Sequence, residues 1–193
     1  MNKDDEVMND KDKMLIVNYY ALTWWVESLT SEPEYFKSPE FKLRDTFVEK
    51  KLRSGEASTA LILPCLYVAL VLPKESLKDE KYKSEFSEID KWLNTVVSES
   101  KRYTSYSDDS EDKGGIKFTY HIRNAVSHNR VEMIMGDGGK VDEIRFRDIK
   151  NKNGECSQFH ADIGLTVLGQ LVQRLRQIMW IRINEIIEKQ RSM

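Results

Sequence analysis

A chain of 193 residues suits a single domain with at most a small insertion, and 40% hydrophobic residues suffice for a real core. Its net charge of −2 hides an asymmetry: residues 1–115 carry 17 basic and 23 acidic side chains (−6), residues 116–193 carry 13 and 9 (+4). The positive half admits two readings, local binding of a polyanion or an ordinary mixed surface. Met1 to Glu6 are polar with no apolar core behind them, and the longest apolar stretch, Ala60 to Leu72, contains Pro64 and is too short to span a bilayer. Cys65 and Cys156 fit no metal-ligand spacing, and Cys65 sits in an apolar run that predicts burial. The expectation is a soluble, cytoplasmic protein with reduced thiols, no membrane contact, no cofactor and no metal.

Residues 1–13 read as a flexible polar lead, and residues 14–193 as one helical domain. Leu15, Val17, Tyr19, Leu22, Trp25, Val26 and Leu29 predict a first helix near 14–30. Ser38-Pro39 starts a second, running to about Arg53 with Phe41, Phe47 and Leu52 inward, and Ser54-Gly55 ends it. A third spans about Ala57 to Leu72; Pro64 kinks it or shifts its start, and Pro73 stops it. Ser84 or Ser87 caps a fourth that carries Phe86, Ile89, Leu93 and Val97 at helical spacing. Ser105 to Gly115 is an acidic loop leading into a helix near Lys117 to His128. Val131 to Met135 and Glu143 to Arg147 read as strands joined by a turn at Gly136-Asp137-Gly138-Gly139, an insertion of about 131–148, with Ile144 and Phe146 inward. The last helix starts after Asp162 as N-cap and buries Leu168, Leu171, Val172, Leu175, Ile178 and Met179. Its continuing stripe of Ile183, Ile186 and Ile187 is a candidate subunit contact. The fold class is mostly α: a bundle of about five to six helices with a small β-hairpin before the last.

The segment His121 to Arg130 holds two of the chain's three histidines, two arginines and two asparagines. Arginine offers a fixed cationic fork for phosphate oxygens. Histidine titrates near neutrality and can move a proton at a ribose hydroxyl. On a helix Asn124 and His128 share a face, with Arg123 about 100° from Asn124. This Arg123-Asn124…His128 pattern, with its apolar approach, the strands behind it and the long last helix, resembles the HEPN superfamily, in a bacterial form with a β-insertion. The match covers roughly residues 56–190, and its specific part is about ten residues.

The resemblance implies a metal-independent endoribonuclease that cleaves single-stranded RNA by 2′-hydroxyl attack, leaving a 2′,3′-cyclic phosphate. It implies Arg123 on the scissile phosphate, His128 handling protons or positioning the phosphate, and Asn124 bonded to either or to a second subunit. That attack needs both a base and an acid, and one His128 cannot serve as both. A homodimer with a composite site supplies two, as the family implies; otherwise His121 supplies the second group within one chain. A toxin or phage-defence role, with an antitoxin or regulatory protein as partner, follows from the same resemblance. The alternative is a catalytically silent helical dimer that binds nucleic acid or protein, which the acidic N-terminal half favours.

Around the motif, Arg130, His121 and Ser127 are candidate RNA contacts. Arg130 touches the RNA backbone or forms a surface salt bridge; His121 assists or is exposed or capped. His160 reads as structural. Arg145, Arg147, Lys150 and Lys152 form a basic alternation that contacts phosphate or blunts an edge strand. Trp24 and Trp25 read as core or interface. Gly136 to Gly139 is a turn and not a phosphate loop, since no helix follows it.

Overall fold

The last helix organises the rest. Apolar residues recurring every three or four positions bury Leu168, Leu171, Val172, Leu175, Ile178, Met179, Ile183 and Ile186 along its 27-residue length. We obtained a computed structural model of the chain, which describes residues 10–30, 62–75, 77, 80–106, 115–137, 141–152 and 155–192. The expected second helix, the polar lead before residue 10, residues 107–114 of the acidic loop and the side chains of Trp24 and Trp25 lie outside the described residues.

In chain order, helix α1 is Asp10–Thr30. It begins four residues before the apolar periodicity does, and Asp12 in its first turn accepts from Arg182 at 3.1 Å. Helix α2 covers 62–66, widens into a π-turn at Tyr67–Val71 and tightens into a 3-10 turn at Leu72–Glu75. Leu72 donates to the carbonyl of Tyr67, and Pro73 beyond it has no N–H to continue an α ladder. Cys65 is buried here, as expected, and burial pushes its thiol up to about 11. Helix α3, Glu80–Val96, starts ahead of the expected serine caps. The reason is Tyr82, which is buried one turn before Phe86 and hydrogen-bonds Glu185 on the last helix at 2.5 Å. Helix α4, Phe118–Ser127, is the motif helix, and α5 is Leu165–Arg191.

The β-structure exceeds the expected hairpin. Strands β1 (Arg102–Thr104), β2 (Val131–Met135), β3 (Val141–Lys152) and β4 (Glu155–Gly164) form one antiparallel sheet in the order β1-β4-β3-β2. Residues 155–164 pair with residues 143–152 of β3, with Phe146 opposite Ala161 and Arg147 opposite His160. One face, with Ile144, Phe146, Phe159, Ala161 and Ile163, is buried. It packs beneath α4 and α5. Asp162, expected to cap the last helix, is instead in β4, where it takes both 2.7 Å bonds of a fork from Arg145; Gly164 precedes the helix. The stripe of Ile183 and Ile186 is used inside the chain. The exposed apolar groups of α5 are Trp180 and Ile181, with Tyr19 of α1 stacked on Trp180 at 5.3 Å.

Candidate active site

Helix α4 is held at both ends by other elements. Its first turn lacks a side-chain cap of its own. Asp90, in the C-terminal half of α3, takes that role: its carboxylate accepts from the Thr119 backbone N–H at 2.7 Å and the Thr119 hydroxyl at 3.1 Å. Burial raises the Asp90 carboxyl to about 6, against the pull of those two bonds and of the His121 and Lys117 charges. Asn94, one turn on, clasps the chain as it enters α4, donating to the Ile116 carbonyl at 2.7 Å and accepting its N–H at 3.3 Å.

The other end closes in a Schellman motif. The N–H of Asn129 bonds Val126 at 3.2 Å, and the N–H of Arg130 bonds Ala125 at 2.8 Å. Asn129 adopts the left-handed conformation this requires, with φ of 51°. The turn leaves His128 as the C-cap, its side chain exposed, and delivers the chain to β2. The Arg130 carbonyl then accepts from Arg147 at 3.0 Å, so the helix end is tied to the sheet.

Between these ends the motif side chains form a relay. Asp148 lies on the buried face of β3, two residues after Phe146, and only 4% of it is exposed. It accepts from His121 Nδ1 at 2.8 Å and from Asn124 Nδ2 at 3.0 Å. Burial acts to raise its carboxyl, but the bonds from His121 and Asn124, the imidazole and Tyr106 outweigh it and hold the carboxyl below its ordinary value. The Asn124 oxygen, on the far side of the amide, accepts from Arg123 Nη2 at 3.0 Å. The Arg123 guanidinium also lies 4.9 Å over the Tyr120 ring. A buried carboxylate thus orients an amide, and the amide orients the arginine.

Arg123 and Asn124 are therefore brought together, with His128 one helical turn beyond Asn124. The other candidates fare differently. His121 is 0% exposed, its ring stacked on Phe159 at 4.4 Å and packed on Tyr106 at 4.6 Å. This corrects its reading as an RNA contact or as an exposed or capped residue: it is a core histidine that braces Asp148. Ser127 returns its hydroxyl proton to the Arg123 carbonyl at 2.8 Å. Arg130 bonds the Ile149 carbonyl at 2.9 Å, the rest of its exposed guanidinium facing solvent. His160 is exposed on the outer sheet face and stacks on Tyr103 at 5.7 Å. Arg147 beside it pairs with Glu132 at 2.9 Å.

Asp148 escaped the sequence reading although a signal existed. With Ile144 and Phe146 inward, the same parity points Asp148 inward, and an inward carboxylate needs partners. Among the described residues no three His, Cys, Asp or Glu side chains converge as a metal site, and no helix is long and apolar enough to cross a membrane. No curated protein and no solved structure matches the chain. The family model described as HEPN pEK499 p136 matches residues 8–184, nearly the whole length, and the chain belongs to that HEPN family.

Proposed function

We propose that the chain is a metal-independent endoribonuclease acting on single-stranded RNA through Arg123, Asn124 and His128, with two copies sharing the site. The observation that carries this reading is the Asp148–Asn124–Arg123 relay, which holds a guanidinium at a fixed orientation on the helix that ends in the exposed His128. A positioned fork of donors suits the charge that develops on a phosphorane. The 2′-hydroxyl must lose a proton and the leaving 5′-oxygen must gain one. His121 is buried against Asp148 and out of reach of substrate, so of the two motif histidines one chain offers His128 alone for both transfers. Two His128 side chains across a two-fold axis meet the need. A role as a toxin or phage-defence effector, held in check by an antitoxin or regulatory protein, fits such a nuclease.

The test is purified protein with single-stranded RNA in EDTA. Cleavage leaving 2′,3′-cyclic phosphate ends, lost in both Arg123→Ala and His128→Ala, is the expected result. Activity that needs a divalent ion, or that survives either substitution, rejects the mechanism.

A further inference from the structure

A cavity of about 490 Å³ opens between α2, α3 and α4, with Arg123 and Tyr120 of the motif helix in its wall. Part of its lining is apolar: Leu70 and Leu77 are buried, and Phe86 and Ile116 are partly covered. Four cations also line it: Lys83, Lys91 and Lys117 are exposed and Arg123 is half-buried. Asp90 is the one carboxylate that lines it among the described residues, and both its oxygens are turned to Thr119. Lys91 is paired with Glu88 in an exposed i,i+3 contact at 2.6 Å, a pair weak enough to yield to a phosphate.

Size and polarity together narrow the occupant. The volume lies at the small end of ligand sites, room for one planar ring system and its sugar. A lining that combines buried apolar and exposed cationic side chains suits a ligand that is flat and apolar at one end and anionic at the other. We propose that this cavity is a base subsite: it receives one unstacked base of the RNA strand while that nucleotide's phosphate lies at Arg123. The assignment rests on the ribonuclease reading and extends it, since a base held here sets which linkage reaches the arginine. Unstacking is least costly in single strands, so the subsite also selects unpaired RNA.

A free mononucleotide offers the same chemistry as a nucleotide within a strand, so the experiment separates them. Amide resonances of the full chain are followed on titration with each 5′-mononucleotide, with a short uncleavable single-stranded RNA (2′-O-methyl), and with inorganic phosphate. The RNA and at least one mononucleotide should move the amides of Leu70, Phe86 and Ile116, whereas phosphate alone should not. Ser87 is exposed and lines the cavity, and Ser87→Trp fills the space without removing a core side chain. That variant should weaken RNA binding by about tenfold or more and abolish any base preference of cleavage. The wild-type titration decides the matter even where Ser87→Trp fails to fold. Silence of these amides up to about 10 mM of every nucleotide and with the RNA overturns the proposal, as do equal shifts with phosphate alone. Shifts with free nucleotides but none with RNA overturn the assignment to a strand. A chain that cleaves RNA without a cavity response loses this subsite but keeps the ribonuclease reading. One that binds RNA here without cleaving loses the ribonuclease reading alone.

Discussion

Asn124 has one amide orientation that satisfies both neighbours, its NH2 toward the Asp148 carboxylate and its oxygen toward Arg123. The side chain therefore transmits position from the buried strand to the guanidinium. Arg123→Lys keeps the charge but loses the planar fork, the bond to Asn124 and the fit over Tyr120. Single-turnover cleavage should fall about a hundredfold with the fold unchanged. Asp148→Ala strands the His121 and Asn124 donors it satisfies and should lower stability by about 2–3 kcal/mol in urea denaturation at neutral pH. The sign with pH is definite. The Asp148 pKa is lowered in the fold, so its contribution is present above the ordinary carboxylate value of 3.8 and is lost as pH falls below it. The gap between wild type and Asp148→Ala should therefore narrow in acid; a gap constant down to pH of about 2 would contradict the relay.

At the level of elements, α5 was legible from apolar spacing, α4 from the motif and the loop before it, and the inward faces of Ile144 and Phe146 from alternation. Strand β4 was not. Its inward residues are Phe159, Ala161 and Ile163, but Ser157, Gln158, His160 and Asp162 between them have little β-propensity, and Asp162 imitates a helix cap. The three-residue β1 depends on pairing with β4, a contact no local pattern announces. The capping of α4 by Asp90 is equally non-local, reaching across 29 residues. Asp90 also carries an opposite pH signature to Asp148. Its pKa rises from 3.8 to about 6 on folding, so the folded state takes up the proton first and stability falls as pH climbs between these values. Asp90→Asn should flatten that slope in thermal melts; an unchanged slope would assign it to other groups. At the other end, Asn129 has φ of 51°, which a β-branched residue resists. Asn129→Val should cost about 1–2 kcal/mol and Asn129→Gly little, with cleavage tracking the first loss because the turn places His128.

At the scale of the whole molecule, charge distribution and stoichiometry come into play. The half of the chain that holds the motif is positive by four charges, and the other half is negative by six. If RNA is the substrate, that charge should draw it to one region of an acidic protein, and binding should weaken as salt rises. If each site needs a histidine from both copies, a mixed dimer of wild type and His128→Ala has a full complement at neither position. Refolding the two chains together in equal amounts should leave about a quarter of the activity of wild type alone, the share of unmixed wild-type dimers. Half the activity would mean that each chain works by itself. Side chains available for such contact include Val17 and Tyr20 on α1 and Trp180 and Ile181 on α5, all exposed.

The two cysteines give the protein an internal clock. Cys156 is exposed on β4, whereas Cys65 is buried in α2 with its thiol held protonated. An alkylating reagent near neutral pH should consume Cys156 at once and reach Cys65 only when α2 opens. The slow rate therefore measures how often the wall of the cavity beside Arg123 comes apart. A ligand seated in that cavity must lengthen the interval, so one mass spectrum taken over time reads occupancy without a nuclease assay.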